Sequence, residues 1–257
     1  MRIANLVVTP DVLLAPMAAV TDLPFRTICE EHGVGLTITE FLSANALIAG
    51  AQKTVDKMTP SLNGRQFGVQ IFGREPEHLA QAAQMARDIG ASLVDINMGC
   101  PSKSVAASGS GAALIKTPDL AHAILKAARQ GLEDWAGGQS IHQQGFKPSR
   151  IEFIHELNHR RSGSPVVPRR LLPLSVKTRL GFDCVVVERW VEHLLDARPA
   201  AITVHGRTLQ QMYRGAADWT AIAEAAKVAR DTGTLILGNG DLNTLVDAVR
   251  RAAESHV

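Results

Sequence analysis

Cysteine is scarce. The chain of 257 residues holds three, Cys29, Cys100 and Cys184, too few and too scattered for a disulfide framework, which fits a reducing compartment. Long apolar runs are missing too, since none approaches the roughly 20 residues that span a bilayer. The start, Met1-Arg2-Ile3-Ala4-Asn5, lacks the charged, apolar and small-residue layout of a signal peptide, so the expected location is cytoplasmic with no membrane partner. Nor is there an excess of charge: 27 Lys and Arg against 25 Asp and Glu leave a formal net charge of +2. Any nucleic-acid binding must therefore be argued from where basic residues sit, not from their sum. What is plentiful is apolar content, 46%, enough at this length for one large α/β barrel or two small domains.

Short apolar runs alternate with longer amphipathic ones, the rhythm of a parallel sheet. Strands are expected at Val12–Ala15, Leu36–Glu40, Phe67–Phe72, Leu93–Asn97, Leu174–Arg179, Ala201–His205 and Thr234–Leu237. Helical patterns run over Asp22–His32, Ser43–Ala49, Glu77–Ile89, Leu120–Arg129, Val186–Asp196, Trp219–Arg230 and Leu242–Glu254. Polar residues recur at strand ends: Glu40, Gln70, Asn97, Lys177, Arg179, His205 and Asn239. A (β/α)8 barrel of the TIM type assembles its site from the C-terminal ends of many strands, whereas an open doubly wound sheet gathers ligand groups at one switch point. The expected architecture is accordingly a single (β/α) barrel domain over 1–257, lacking an eighth strand because the sequence stops after the seventh helix pattern.

One connection is too long for such a barrel. About 40 residues, 131–172, separate the fourth helix from the fifth strand, with one helix expected over Ser149–Arg161 and basic residues at Arg160, Arg161, Arg169 and Arg170. This insertion is either a solvated, partly disordered excursion or a basic appendage that touches a polyanion. Within it His155-Glu156-Leu157-Asn158-His159 spells a zinc-protease helix. Its setting is charged, Ser162 stands where the longer motif requires glycine, and no third ligand is evident, so no metal is expected. Ser108-Gly109-Ser110-Gly111 resembles a dinucleotide fingerprint, but Leu114 occupies the third glycine position and the approach from Asn97 is too long for the tight turn. A flexible loop carrying Lys103 and Ser108 over the barrel mouth is expected instead.

The most informative stretch is Asp95-Ile96-Asn97-Met98-Gly99-Cys100-Pro101-Ser102-Lys103. Proline holds the preceding residue extended, so Cys100 cannot continue into a helix and its thiol should project from a strand-to-loop junction. A buried structural cysteine is the alternative, but the flanking Asn97 and Lys103 suit binding and proton transfer better than packing.

Several motifs then fall into one order. Leu14-Ala15-Pro16-Met17-Ala18, Thr39-Glu40, Val69-Gln70-Ile71-Phe72-Gly73, Asp95 to Ser102, Val176-Lys177-Thr178-Arg179-Leu180-Gly181, Thr203-Val204-His205-Gly206-Arg207-Thr208 and Gly238-Asn239-Gly240-Asp241 resemble those of the tRNA-dihydrouridine synthases, from about Asp11 to Asp241. The resemblance implies an FMN-bearing barrel that reduces the C5–C6 bond of particular tRNA uridines to 5,6-dihydrouridine, with NADPH restoring the flavin. It implies that Pro16, Met17 and Ala18 line the flavin ring, that Gln70 and Lys177 bond its polar edge, and that His205, Asn239, Gly240 and Asp241 hold its ribityl-phosphate end. Cys100 matches the catalytic cysteine; Asn97, Lys103 and Arg207 match contacts to the target uridine or its backbone. For Arg179, a substrate contact and a salt bridge with Glu40 or Asp95 stay equally open. The family's C-terminal helical domain and the Gly-Arg of its eighth strand have no counterpart, and no stable protein partner is expected.

Chemistry agrees with that role for Cys100. After hydride reaches C6, the charge left at C5 and O4 must be quenched by a proton. A thiol with an ordinary pKa of about 8.5 is protonated near neutrality yet able to give the proton up. Two other functions remain open at this stage: a non-catalytic RNA-binding remnant, and an FMN barrel oxidoreductase acting on a free pyrimidine.

Overall fold

The computed structural model describes residues 1–139 and 147–257. In chain order the first elements are β1 (Arg2–Ile3), β2 (Leu6–Val7), β3 (Leu13–Leu14), α1 (Leu23–Glu31), β4 (Leu36–Ile38), β5 (Leu42–Ser43), α2 (Ala44–Ile48) and α3 (Gln52–Asp56). There follow β6 (Phe67–Phe72), α4 (Pro76–Asp88), β7 (Leu93–Met98), α5 (Lys103–Ala107), a 3-10 helix (Gly111–Lys116), α6 (Pro118–Ala136) and α7 (Pro148–Ser162). The last are β8 (Leu174–Arg179), α8 (Val187–Leu195), β9 (Ala201–His205), α9 (Trp219–Val228), β10 (Leu235–Asn239) and α10 (Leu245–Ser255). Outside the small β1–β2 hairpin the strands pair in parallel and alternate with helices, an α/β architecture of the (β/α)8-barrel type. Among the described residues no helix is long and apolar enough to cross a membrane.

The chain packs as two compact units, residues 1–95 with 126–174, and residues 96–125 with 175–257. In the first, β3 pairs β4, and β6 pairs both β4 and β5. The strand expected to reach Glu40 stops at Ile38 for a visible reason. Thr39 still donates its N–H to Gly68 O at 3.0 Å, but its hydroxyl then accepts the N–H of Gln70 at 3.2 Å and so replaces the next backbone rung. Helix α1 starts where Asp22 caps the N–H of Phe25, and α4 starts at Pro76, each device satisfying or removing a donor that the first turn cannot use.

Two expectations for the insertion change. Helix α6 runs on to Ala136, so residues 131–136 continue a helix whose buried face carries Leu125, Ala128, Leu132 and Trp135. Helix α7 buries Ile151, Ile154 and Leu157 on one face, each worth roughly 1.5–3 kcal/mol of burial, and ends at Gly163 with φ +73°. A solvated excursion does not describe it. Residues 140–146 of the insertion lie outside the described residues.

In the second unit β8, β9 and β10 run parallel, in a register that aligns Arg179 with His205 and His205 with Asn239. Three polar strand-end residues thus form one row. Helix α8 turns Val187, Trp190, Val191 and Leu194 inward, and Trp190 Nε1 donates to Thr178 Oγ1 at 2.8 Å, whose hydroxyl donates in turn to Met98 O at 3.1 Å.

Candidate active site

At the end of β7 the Asn97 side chain folds back, its Oδ1 accepting the N–H groups of Gly99 at 3.1 Å and Cys100 at 2.9 Å. That local turn, followed by Pro101, fixes where the thiol starts. Gly99 packs closely in this turn, since a Cβ there would stand 3.3 Å from Lys177 O and from Thr178 Cα. Cys100 lies at the expected junction but is only 9% exposed. The segment expected to be a flexible loop is α5 and the 3-10 helix, closed over the cysteine at Gly111. A Cβ there would come within 3.0 Å of Cys100 O and 3.2 Å of Cys100 Cβ, and φ at Gly111 is +62°. The Gly-x-Gly pattern therefore serves close packing on Cys100, not a dinucleotide turn.

Burial pushes the Cys100 thiol above its ordinary pKa, against the opposing pull of the Ser102 N–H, Arg179 and Lys177. The group stays protonated near neutrality, with cations near enough to stabilise a thiolate once the proton leaves. Arg179 is 5% exposed and donates from Nε to Gly99 O at 2.7 Å and from Nη1 to Thr208 O at 3.1 Å. These bonds make it a clamp between the cysteine turn and the loop after β9.

His205 is half-buried, and its pKa is lowered to about 3 by burial first and then by Lys177, Arg179 and Arg207, with Asp241 opposing. Its imidazole is neutral at physiological pH. Gly240, at φ +127°, lies against it; a Cβ there would meet Ala217 Cβ at 2.8 Å and His205 Cδ2 at 3.2 Å. Trp219 Nε1 holds the same turn by donating to Gly240 O at 3.0 Å. Asp241 accepts Arg207 Nη2 on both oxygens at 2.8 Å and the Ala217 N–H at 2.7 Å, and the Ala217 bond leads the causes that hold its carboxyl below the usual carboxylate range. Arg207, expected at the substrate, is instead 7% exposed, and also donates to Gly215 O at 2.6 Å. Lys177, Arg179 and Arg207 against Asp241 leave an excess of two positive charges around a neutral imidazole.

The first unit carries Pro16, Met17, Ala18 and Gln70. The loop of the first three is locked by Met17 N–H on Thr21 Oγ1 at 3.0 Å, and by Ala19 N–H on Glu40 Oε1 at 2.7 Å with Ala19 at φ +57°. Met17, Ala18 and Val20 are exposed at its tip. Glu40 also pairs with Lys57 at 3.1 Å, and the fully buried Gln70 donates from Nε2 to Asp95 at 2.6 Å. Lys103 stands exposed at the first position of α5.

Two residues of the second unit were not singled out from sequence. Tyr213, the only tyrosine in the chain, is 78% exposed and near enough to Arg179 to favour its charged form. Trp219 supports Gly240 as described. The sequence signal for Tyr213 was its isolation in the polar loop that follows His205-Gly206-Arg207-Thr208. Among the described residues no group of three or more His, Cys, Asp or Glu side chains is placed to hold a metal ion.

The (β/α)-type chain thus carries a protonated thiol just after β7 and a cation-rich turn beside a neutral imidazole at the end of β9. The chain belongs to the dihydrouridine synthase (Dus) family, whose model matches residues 13–134 and 164–256. It is 31% identical to tRNA-dihydrouridine synthase B of Xanthomonas campestris pv. campestris, over 99% of this chain and 64% of that one. To a probable tRNA-dihydrouridine synthase of Rhodobacter capsulatus it is 33% identical, over 96% of this chain and 64% of that one. The chain thus spans a little under two thirds of the length of these relatives. Among solved structures it is similar to a truncated form of 3-deoxy-D-arabino-heptulosonate 7-phosphate synthase from Thermotoga maritima, at 14% identity and a TM-score of 0.49, covering 95% of this chain and 71% of that one.

Proposed function

We propose that this chain is the catalytic part of a flavin-dependent tRNA-dihydrouridine synthase acting in the cytoplasm, with FMN as cofactor, NADPH as reductant and tRNA as substrate. The observation that carries this reading is the state of Cys100, a thiol kept protonated by burial yet within reach of the fields of Lys177 and Arg179. A nucleophilic cysteine needs the reverse, a depressed pKa.

The residues fit an FMN phosphate. An excess of positive charge around Lys177, Arg179 and Arg207, beside a neutral His205, suits a compact dianion. His205, Asn239, Gly240 and Asp241 are assigned to that end, Lys177 and Gln70 to the polar edge of the ring, and Pro16, Met17 and Ala18 to its face. When bound and reduced, FMN supplies the hydride for C6 of the uracil. Cys100 holds at Sγ the proton that C5 receives, and the thiolate left behind regains one from solvent. Asn97 fixes the backbone from which that thiol projects, and with Lys103 is assigned to the uridine or its phosphate. Arg179 and Arg207 act as positioning residues, since main-chain carbonyls and Asp241 occupy their hydrogen bonds. The target base must leave its stack to be reached, and phosphate contacts should make binding salt dependent.

Cys100→Ala tests the reading. Dihydrouridine, mapped by mass spectrometry of tRNA, should fall below detection in the variant while flavin reduction by NADPH continues. Persistent full turnover on tRNA would remove the proton-donor role.

A further inference from the structure

The first unit gathers a second concentration of positive charge, on α4, α6, α7 and the segment before β8, of which α7 lies outside the family match. Arg87 at the end of α4 places its guanidinium carbon 4.4 Å from the ring centre of Trp135 on α6, and Arg169 places its own at 4.1 Å. Arg161, in the last turn of α7, lies 5.7 Å over Phe67 and donates to Gly90 O at 3.1 Å. Main-chain carbonyls account for much of the hydrogen bonding: Arg87 Nη2 donates to Pro168 O, and Arg169 Nη1 to Trp135 O and Gln139 O. Two features are left over. Arg87 is 2% exposed, and its Nε has no hydrogen-bond partner among the described residues. Arg170 is exposed, outside the hydrogen bonds and ring contacts that hold the others.

Carbonyl oxygens satisfy donors but do not cancel charge. Arg161, Arg169 and Arg170 all act on Arg87 as repelling neighbours, and Asp88 alone opposes them; with burial as the main cause, Arg87 is lowered to about 10. Asp88 is itself engaged by Trp135 Nε1 at 2.7 Å. Four guanidinium groups around one carboxylate leave an excess of three positive charges. A single carboxylate ligand would not offset that excess, whereas phosphate groups, with several acceptor oxygens and up to two charges each, would.

We propose that the arginine cluster around Trp135 is a binding site for phosphate oxyanions, built by the insertion and set at the Phe67 end of β6, with Arg170 as its exposed contact. The phosphate belongs either to an RNA backbone or to a free phosphate compound, and the experiment separates these sources without requiring activity. Arg170→Gln removes the exposed contact and touches no packing; Arg160→Gln removes an exposed charge on α7 outside the cluster's contacts. Both, with wild type, are titrated with pyrophosphate and with tRNA over a range of salt. Loss of pyrophosphate affinity by about tenfold in Arg170→Gln alone supports a site for free phosphate. A slope of log K against log salt for tRNA that is smaller by about 0.7–0.9 in Arg170→Gln alone supports an RNA phosphate contact. If Arg170→Gln matches wild type with both ligands, or Arg160→Gln falls as far, the proposal is overturned.

Discussion

His205 offers the sharpest test of the electrostatics at the strand ends. Its folded pKa of about 3 lies far below the ordinary 6.5, so between those values the unfolded chain binds a proton that the folded chain refuses. Stability is therefore fully present above about pH 6.5 and is lost as pH falls toward 3. The slope cannot exceed about 1.4 kcal/mol per pH unit, which bounds the loss from this group at roughly 2 kcal/mol between pH 6.5 and 5. The ring is half-buried and its cationic neighbours are partly screened, so about 1 kcal/mol is expected over that interval. His205→Gln keeps a polar side chain but cannot titrate. Urea unfolding of both proteins at pH 7 and pH 5 isolates the group, because the other titrations are common to both. Wild type should lose about 1 kcal/mol more than the variant. Equal losses, or a His205 ring proton titrating above pH 6 by NMR, would refute the argument that burial and three cations keep the ring neutral. Adding inorganic phosphate should raise the titration midpoint, since an anion beside the ring favours its charged form.

Gly240→Ala should destabilise the second unit by about 1–3 kcal/mol, because alanine is strained at φ +127° and its Cβ would meet Ala217 at 2.8 Å; thermal unfolding reads the loss. Asp241→Asn should cost about 1 kcal/mol by removing the charge that pairs with Arg207, and should move the His205 titration still lower, because the one opposing carboxylate is gone. A rise in that titration in the Asp241 variant would contradict the charge assignment.

How much of this was legible in the sequence depends on the length over which a pattern runs. β6, β8 and β9 begin and end where the apolar runs do, because five or six residues bounded by polar ones leave little freedom. β1, β2 and β5 have two residues each and α3 and α5 five, too short to display a period. A flexible loop carrying Lys103 and Ser108 was expected where α5 forms. Its order comes from contacts that no local pattern encodes, above all the approach of Gly111 to Cys100. The place of Cys100 after its strand was readable, since Asn97 and Pro101 act within a few residues, whereas its burial and the register that aligns Arg179, His205 and Asn239 were not.

Arg179 and Arg207 show where reading by residue type stops. A guanidinium at a strand end looks the same in sequence whether it faces a ligand or main-chain carbonyls. The difference was decided by the loop of residues 208–215, whose Thr208 and Gly215 carbonyls accept from these two arginines. The insertion repeats the lesson: Arg161 and Arg169, which could have been solvated, bond to Gly90, Trp135 and Gln139 carbonyls and lie over aromatic rings. Hydrogen-bond satisfaction and charge neutralisation are separate requirements, however. A carbonyl removes the cost of a buried donor while the positive charge persists, so an arginine cluster can be fully at home in a fold and still attract an anion. That separation lets one chain keep two cationic clusters, one around His205 and one around Trp135. It also explains why substitutions that spare the carbonyl bonds, such as Arg170→Gln, are the ones able to tell an anion site from a scaffold.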